Sequence, residues 1–234
     1  MAIILRSTKG AELTHNELDQ NFIDIRDGVN IMVPNAQTYG IKVDSLGTPT
    51  FGWHDLTGVL QVYGEAGDAL RSSYRGGIKA LQFIEGSSAY IDFHLPHDYV
   101  MGSDIFFHAH WSHAATTVTG GSVTWGFELM YAKGHNQAAF EEPVTVAVVQ
   151  SANPIQYQHM IAENVASTPG GAAGVLLDTD ELEVDGLIQC RIYLDSNDLL
   201  VSGGGVPDPF VHAVDIHYQS TNIATKNKAP GFWD

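Results

Sequence analysis

The sequence predicts a mainly β protein, an antiparallel β-sandwich or jelly roll preceded by a short N-terminal arm and an amphipathic helix. From residue 59 onward, short runs of β-branched and aromatic residues alternate with clusters of turn residues. No convincing long helix follows that point. Many strands without alternating helices are typical of sandwiches and barrels, so a β-barrel is the alternative. Period-2 alternation alone does not separate the two.

The N-terminal helix has a well-formed start signal. Thr14 is a candidate N-cap and Glu17 follows three residues later, so each side chain can satisfy a backbone N–H near the other residue. Apolar residues then recur in steps of four, three and four, which places them on one stripe of the helix. We call this the helix stripe, a candidate anchor or oligomer interface formed by Leu18, Phe22, Ile25 and Val29. Such a short stripe does not sustain a free-standing coiled coil, so a trimer would also need the following domain to trimerise.

Composition divides the chain into four segments. Residues 1–32 form the arm and helix, and residues 33–58 form a connection rich in Pro, Gly, Asn, Asp and Thr, with a short strand candidate at 39–43. Residues 59–225 form the β-sandwich domain, and residues 226–234 form a C-terminal tail. The predicted strands are 59–63, 78–84, 89–95, 104–111, 123–132, 144–150, 155–165, 187–195 and 210–219. A hairpin-like turn at 85–88 joins the second strand to the third.

Charge and hydropathy exclude several partners. The chain has 27 Asp and Glu against 11 Lys and Arg, a net charge of −16. Such a surface repels phosphate backbones, so we expect no nucleic-acid partner. No stretch reaches the roughly 18 apolar residues of a membrane span, so we expect no membrane partner. No signal peptide is visible, which favours synthesis in a cytoplasm.

Two features have structural interpretations. Cys190 is the sole cysteine and alternates with polar neighbours in an apolar run, so we interpret it as a buried small hydrophobic residue. The acidic run at 178–186 lacks the glycine and glutamate positions of an EF-hand. We interpret that run as a solvated loop, with a calcium site of another type as the alternative.

Histidines supply the one pattern that suggests site chemistry. His108 and His110 are two residues apart on a predicted strand, so their side chains share a face, and with His113 they are the metal-ligand candidates. Gly102, five residues and then His108-Ala109-His110 are similar to the opening of the cupin metal motif. The glutamate expected after the second histidine is missing, and no second cupin motif follows. We therefore interpret the histidines as hydrogen-bonded core or interface residues, and predict no metal, no cofactor and no catalytic residue.

The C-terminal tail ends in two large apolar residues, Phe232 and Trp233. Termini fray unless they dock, and two exposed rings would be unfavourable. We hypothesise that the tail docks on a neighbouring subunit or partner, with packing on its own domain as the alternative.

The N-terminal segment resembles that of many tailed-bacteriophage virion structural proteins, both tail-fibre-like and head-decoration proteins. The matching residues are Arg6 to Gly10, then Leu13-Thr14, Glu17 to Asp19 and Asn21-Phe22, roughly a tenth of the chain. In that family the two residues after the glycine are often Ser-Pro, whereas this chain has Ala11-Glu12. Those positions only lead into the helix.

This resemblance implies a non-enzymatic virion structural protein that is made in the host cytoplasm and assembled into the particle. The implied partners are further copies of the chain, most simply a homotrimer, and other virion proteins such as the major capsid protein or tail proteins. The chain has no repeats and no fibrous stretch, so we rank capsid decoration, as a cement or head-fibre protein, above a short tail fibre.

Two alternatives follow from the β domain. A carbohydrate-binding receptor module would use exposed aromatic rings, for which Trp53, Trp111, Trp125 and the tyrosines are candidates. A cupin-like metalloprotein would use His108 and His110. Sandwiches host all three functions, so the fold class does not decide among them.

Overall fold

The structure is a computed structural model that describes Gly10, residues 12–29 and residues 51–232, with the side chains of residues 24–29 excepted. The chain forms two units, Met1–Gly52 and Trp53–Asp234. Among the described residues, no helix has both the length and the apolar character that a membrane crossing requires. The short strand proposed at 39–43 lies outside the described residues.

The first unit contains helix α1, His15–Val29. Its start confirms the predicted cap: Thr14 N donates to Glu17 Oε2 at 2.7 Å, and Glu17 N donates to Thr14 Oγ1 at 3.3 Å. On the helix stripe, Leu18 is 39% exposed and Phe22 is 69% exposed. The side chains of Ile25 and Val29, the other two members, lie outside the described residues.

The second unit is an antiparallel β-sandwich, which confirms the predicted fold class. Sheet A has six strands in the order β2-β3-β12-β5-β8, with β1 also paired to β12, and sheet B has four in the order β4-β11-β6-β7. A short parallel pair, β9 and β10, lies beside them. The strands are β1 Gly52–Thr57, β2 Leu70–Arg75, β3 Ile78–Gln82, β4 Ser88–His94, β5 Phe106–Ser112, β6 Val118–Ala132, β7 Val144–Ser151, β8 Met160–Val165, β9 Ser167–Thr168, β10 Leu177–Asp178, β11 Leu187–Val201 and β12 Phe210–Ser220.

Aromatic rings from the two sheets meet between them. Phe107 of β5 contacts Phe93 of β4 and Phe127 of β6, each at 5.4 Å between ring centroids. Beside them, Trp111 of β5 meets Trp125 of β6 at 6.1 Å. All five side chains are at most 1% exposed. Because such rings remove large apolar areas from water, these contacts hold the two sheets together.

The predicted turn at 85–88 is not a hairpin. It leads from β3 in sheet A to β4 in sheet B, so the chain changes sheets there. Gly86 N donates to Leu194 O at 2.8 Å, and Leu194 N donates to Ser87 O at 3.1 Å, which ties the turn to β11. A turn signal marks where the chain reverses, but it does not specify which strand the next segment pairs with.

Other boundaries also differ from the prediction. No strand covers 59–63, where Gln61 makes only an isolated bridge to Tyr90, while β1 lies inside the predicted connection. Strand β2 was not predicted, because its sequence is mostly polar and exposed. Strand β8 begins at Met160, since Tyr157 has a positive φ of 63° that interrupts the extended chain before it.

Cys190 is buried in the core, as predicted. Burial raises the pKa of its thiol well above the ordinary value, so the residue stays a neutral thiol. The acidic run at 178–186 is less solvated than predicted, because Leu182 and Val184 within it are buried in the core.

Replacing the central ring tests the core. We expect Phe107→Ala to lower the free energy of unfolding by about 3–5 kcal/mol, because the substitution leaves a cavity between the sheets. Urea denaturation followed by tryptophan fluorescence measures the loss. Val149→Ala is the control, since Val149 is 67% exposed on β7 and its truncation should cost less than about 1 kcal/mol. Equal losses for the two variants would contradict this description of the core.

Candidate functional site

A cluster of histidines and carboxylates lies on the outer face of sheet A. Phe107, Ala109 and Trp111 of β5 face the core, so the alternation of the strand turns His108 and His110 to the opposite face. Neighbouring strands add acidic groups and a further histidine. We call this set the sheet A cluster; its members are Asp55, His108, His110, Glu163, Asp215 and His217.

A β-bulge in β12 brings Asp215 and His217 to this face. Val211 pairs with Trp111, and the next pair along the two strands is Ala213 with His110. Strand β12 therefore has one extra residue, His212, between these two pairs. The extra residue reverses the alternation, because Val211 faces the core before the bulge and Val214 faces it afterwards. Asp215 therefore pairs with His108 on the outer face.

The register of three strands aligns the cluster. His108 has Asp215 as its partner on β12 and Glu163 as its partner on β8. His108 Nε2 contacts Glu163 Oε2 directly, and His108 Nδ1 lies 3.7 Å from Asp215 Oδ2. His110 Nε2 lies 2.6 Å from Asp215 Oδ1. Two imidazoles thus converge on one carboxylate.

Burial separates the cluster into an inner and an outer part. His108 is 3% exposed and Asp215 is 4% exposed. Asp55, Glu163 and His217 lie nearer to solvent, and His217 Nε2 contacts Asp55 Oδ1. The His217 ring lies 3.7 Å from the His108 ring between centroids. Beside the outer part, a cavity of about 310 Å³ is lined by Trp53, Phe106, Glu163 and His217.

A polar row continues along the same face. His110 Nδ1 lies 2.8 Å from His159 Nε2, and the two rings stack at 5.0 Å. Further along, Ser112 Oγ lies 2.8 Å from His212 Nε2 and 2.7 Å from the Tyr74 hydroxyl. Burial lowers the pKa of His212, and the nearby His159 and His110 lower it further, so this imidazole is neutral at neutral pH.

His113, the third metal-ligand candidate, lies apart from this cluster. Its side chain is buried, and its Nε2 donates to Asn153 O at 2.7 Å, while Nδ1 lies 3.1 Å from Ala115 O. Both ring nitrogens face backbone carbonyl oxygens. His113 is therefore positioned to tie loops together.

A second group of histidines surrounds Asp185. His135 Nε2 donates to Asp185 Oδ2 at 2.8 Å, and His97 Nε2 lies 2.8 Å from Asp185 Oδ1. His94 Nε2 lies 3.4 Å from Oδ1. Burial raises the pKa of Asp185, but the hydrogen bond from His135 and the charges of His97, His94 and His135 outweigh it and hold the pKa below its ordinary 3.8.

The C-terminal tail packs against this group. Phe232 is 5% exposed, and its ring lies 5.8 Å from the His97 ring and 6.0 Å from the His135 ring. The Phe232 ring is thus covered within its own chain, which is the packing we gave as the alternative to docking on a neighbour. Trp233 lies outside the described residues.

The outer face of sheet B carries a groove of polar and aromatic side chains. Tyr90, Arg191 and Glu128 form one row across β4, β11 and β6, and Arg191 Nε donates to Glu128 Oε2 at 2.9 Å. Tyr63 packs on Tyr90 at 5.2 Å between ring centroids and is 65% exposed. The groove has a volume of about 320 Å³ and is also lined by Asp92, Met130, Pro143, Gln189 and Cys190.

A glycine shapes one side of this face. A Cβ at Gly126 would lie 2.1 Å from the Tyr193 ring, so only glycine lets that ring lie flat on the sheet. The guanidinium of Arg191 sits 4.7 Å above the same ring. Of the tryptophans proposed as exposed rings, Trp111 and Trp125 are in the core, while Trp53 is 51% exposed on sheet A.

Two of the six members of the sheet A cluster were identified from the sequence. It placed His108 and His110 on one face of a strand, as the structure shows. It missed Asp55, Glu163, Asp215 and His217, which come from three other strands. One signal was present, because Asp215 and His217 are also two residues apart in a strand-like run whose alternation is broken.

The chain matches no family model and no curated protein sequence. Among solved structures it is similar to the xylan-binding module CBM15, with 12% identity over 71% of this chain and 90% of that module, at a TM-score of 0.31. It is also similar to the CBM22-1–GH10 modules of endo-1,4-β-D-xylanase 10B from Clostridium thermocellum, complexed with xylohexaose, with 13% identity at a TM-score of 0.31. That match covers 70% of this chain and 26% of the xylanase chain.

The carboxylate of Asp185 should stabilise the fold in a pH-dependent way. We expect Asp185→Asn to lower the free energy of unfolding at pH 7 by on the order of 1 kcal/mol, because the hydrogen bond from His135 and the close contact with His97 both lose a charged partner. The folded pKa is depressed, so the advantage of the wild type is present above pH 3.8 and is lost as the pH falls through the folded pKa.

Urea denaturation at a series of pH values between about 2.5 and 7 measures this difference. The matched control is Asp180→Asn, an exposed carboxylate in the same loop. A difference between wild type and Asp185→Asn that stayed constant down to the lowest pH would contradict the role given to the charge.

Proposed function

We propose that the chain is a non-enzymatic structural protein of a tailed-bacteriophage virion, most simply a homotrimer that attaches by its N-terminal unit and displays the β-sandwich. The finer assignment is capsid decoration, as a cement or head-fibre protein, with a short tail fibre as the alternative. The partners would be further copies of the chain and the major capsid protein or a tail protein. Assembly would begin in the host cytoplasm and end in the virion.

The observation that carries this proposal is the N-terminal segment. Residues 6–22 resemble the start of phage virion proteins, and the hydrogen bonds between Thr14 and Glu17 form the helix start expected there. The helix stripe leaves Phe22 69% exposed. A large apolar ring on a short, capped helix suits a surface that another protein covers.

Localisation in purified particles tests the proposal. We expect immunogold labelling with an antibody against the β-sandwich to cover the whole head. Label confined to the tail tip would move the assignment to the tail-fibre alternative. Particles without label would overturn the virion assignment.

The helix stripe should contribute to the trimer. We expect the full chain to elute at three times its 25.4 kDa mass in size-exclusion chromatography with light scattering. The double variant Leu18→Ser/Phe22→Ser should shift the trimer towards monomer at low micromolar concentration, because it removes apolar area from the helix stripe.

Ile23→Ser is the matched control, since Ile23 is 38% exposed on the same helix but lies off the stripe. Circular dichroism checks that all variants keep the β-sandwich. A wild-type monomer, or equal dissociation of the control, would contradict the role of the stripe.

The groove on sheet B favours a second function. With a sugar bound there, the β-sandwich would act as a carbohydrate-binding receptor module. Sugar rings combine apolar faces with many hydroxyl groups, so they suit a stacking ring beside planar polar side chains. The groove offers Tyr63 as an exposed ring, with Asp92, Glu128 and Arg191 beside it.

A glycan array followed by titration calorimetry on the best oligosaccharide tests this function. We expect Tyr63→Ala/Tyr90→Ala to weaken binding at least about tenfold, because the stacking surface is lost. Trp53→Ala is the control, an exposed ring on the other sheet that should leave the affinity unchanged. An array without binding, or equal loss in the control, would remove the groove as a sugar site.

A further inference from the structure

We propose that His108, His110 and Asp215 bind a divalent transition-metal cation of the zinc type on the outer face of sheet A. This site goes beyond the function proposed above and does not depend on it. The sequence supported only two ligands, His108 and His110, and we predicted no metal from it. The bulge in β12 supplies the third ligand, because it places Asp215 beside both histidines.

Ligand spacing supports the site. One ligand atom from each of His108, His110 and Asp215 can be chosen so that all lie within 4.8 Å of one another. Two atoms that each lie about 2.1 Å from a tetrahedral zinc are about 3.4 Å apart. The distance of 3.7 Å between His108 Nδ1 and Asp215 Oδ2 is close to that value and too long for a hydrogen bond.

The tautomer of His108 leaves the correct nitrogen free. Glu163 contacts His108 Nε2, so that nitrogen carries the proton and donates to the carboxylate. The lone pair then lies on Nδ1, which is buried without a hydrogen-bond partner and whose closest carboxylate oxygen is on Asp215. A carboxylate that orients an imidazole so that its other nitrogen binds a metal is a common arrangement around zinc.

The unpaired Nδ1 of His108 supports the metal site independently of the ligand spacing. His108 is 3% exposed, and burying a polar atom without a partner is unfavourable. A cation at Nδ1 would remove that penalty.

His110 supplies the second nitrogen. Its Nε2 approaches Asp215 Oδ1 to 2.6 Å, yet Oδ1 has no hydrogen bond of acceptable geometry. Because this separation is shorter than that of two zinc ligands, the partly exposed His110 ring has to move away from Asp215 when the cation binds. His159 lies 2.8 Å from the other nitrogen of His110 and would orient this ring as Glu163 orients His108.

The donor set determines the type of metal. Two imidazoles and a carboxylate suit zinc and neighbouring transition metals, whereas calcium and magnesium prefer oxygen ligands throughout. His217 lies on the solvent side, with Nε2 3.9 Å from Asp215 Oδ2. A fourth position there is open to His217 or to water from the cavity beside Trp53.

Metal binding to the full chain tests the proposal. After treatment with EDTA and dialysis, we expect titration calorimetry to show one tight Zn²⁺ site per chain. Co²⁺ at the same site should give the visible absorption of a tetrahedral or five-coordinate ion, which Zn²⁺ then displaces. His108→Ala and Asp215→Asn should each abolish the site. Glu163→Ala should weaken it by about 10–100-fold, because the orientation of His108 is lost.

His94→Ala is the matched control, since His94 belongs to the Asp185 group and its side chain is 62% exposed. If the buried variants fail to fold, His110→Ala keeps the test decisive, because that side chain is 21% exposed and its loss should still remove tight binding. A wild type that binds no Zn²⁺ at one per chain would overturn the proposal. So would variants of His110 or His108 that bind Zn²⁺ as tightly as wild type.

Discussion

The one-residue bulge between Val211 and Ala213 lets β12 place apolar side chains in the core on both sides of the bulge and still turn an acidic side chain to the outer face of sheet A. Before the bulge Val211 points into the sandwich, and after it Val214 and Ile216 do so. Asp215 is thereby turned outward to pair with His108. Without the extra residue the carboxylate would face the apolar layer between the sheets, where an unpaired charge is strongly unfavourable. The bulge therefore reconciles an apolar core with a buried polar site.

The aromatic layer beneath this site makes it rigid. Phe107 and Trp111 flank His108 and His110 along β5 and anchor the strand to sheet B through Phe93, Phe127 and Trp125. A strand fixed in this way keeps its backbone in place when a ligand binds, which lowers the ordering cost of binding. The Asp185 group differs, because its histidines come from the end of β4 and from two loops, and it lies against the C-terminal tail.

Local patterns predicted what depends on neighbours in sequence. The capped helix, the β-sandwich class and the shared face of His108 and His110 follow from spacing alone. The partners of those histidines depend on topology: Glu163 faces His108 only because β8 pairs with β5. Strict alternation of β12 through residue 212 would place Asp215 in the core, so its outward position depends on the bulge. Residues 85–88 were recognised as a turn, but the change of sheet depends on bonds to Leu194, far away in sequence.

The bulge in β12 completes the proposed cation site, because it turns Asp215 towards the two histidines of β5. An anomalous difference map, recorded at the zinc absorption edge from crystals of the full chain grown with Zn²⁺, tests for a cation there. We expect one strong peak bonded to His108 Nδ1, His110 Nε2 and Asp215, with Glu163 on the far side of the His108 ring. A map whose strongest peak lies among His94, His97 and His135, or one without a peak on sheet A, would contradict the proposed site.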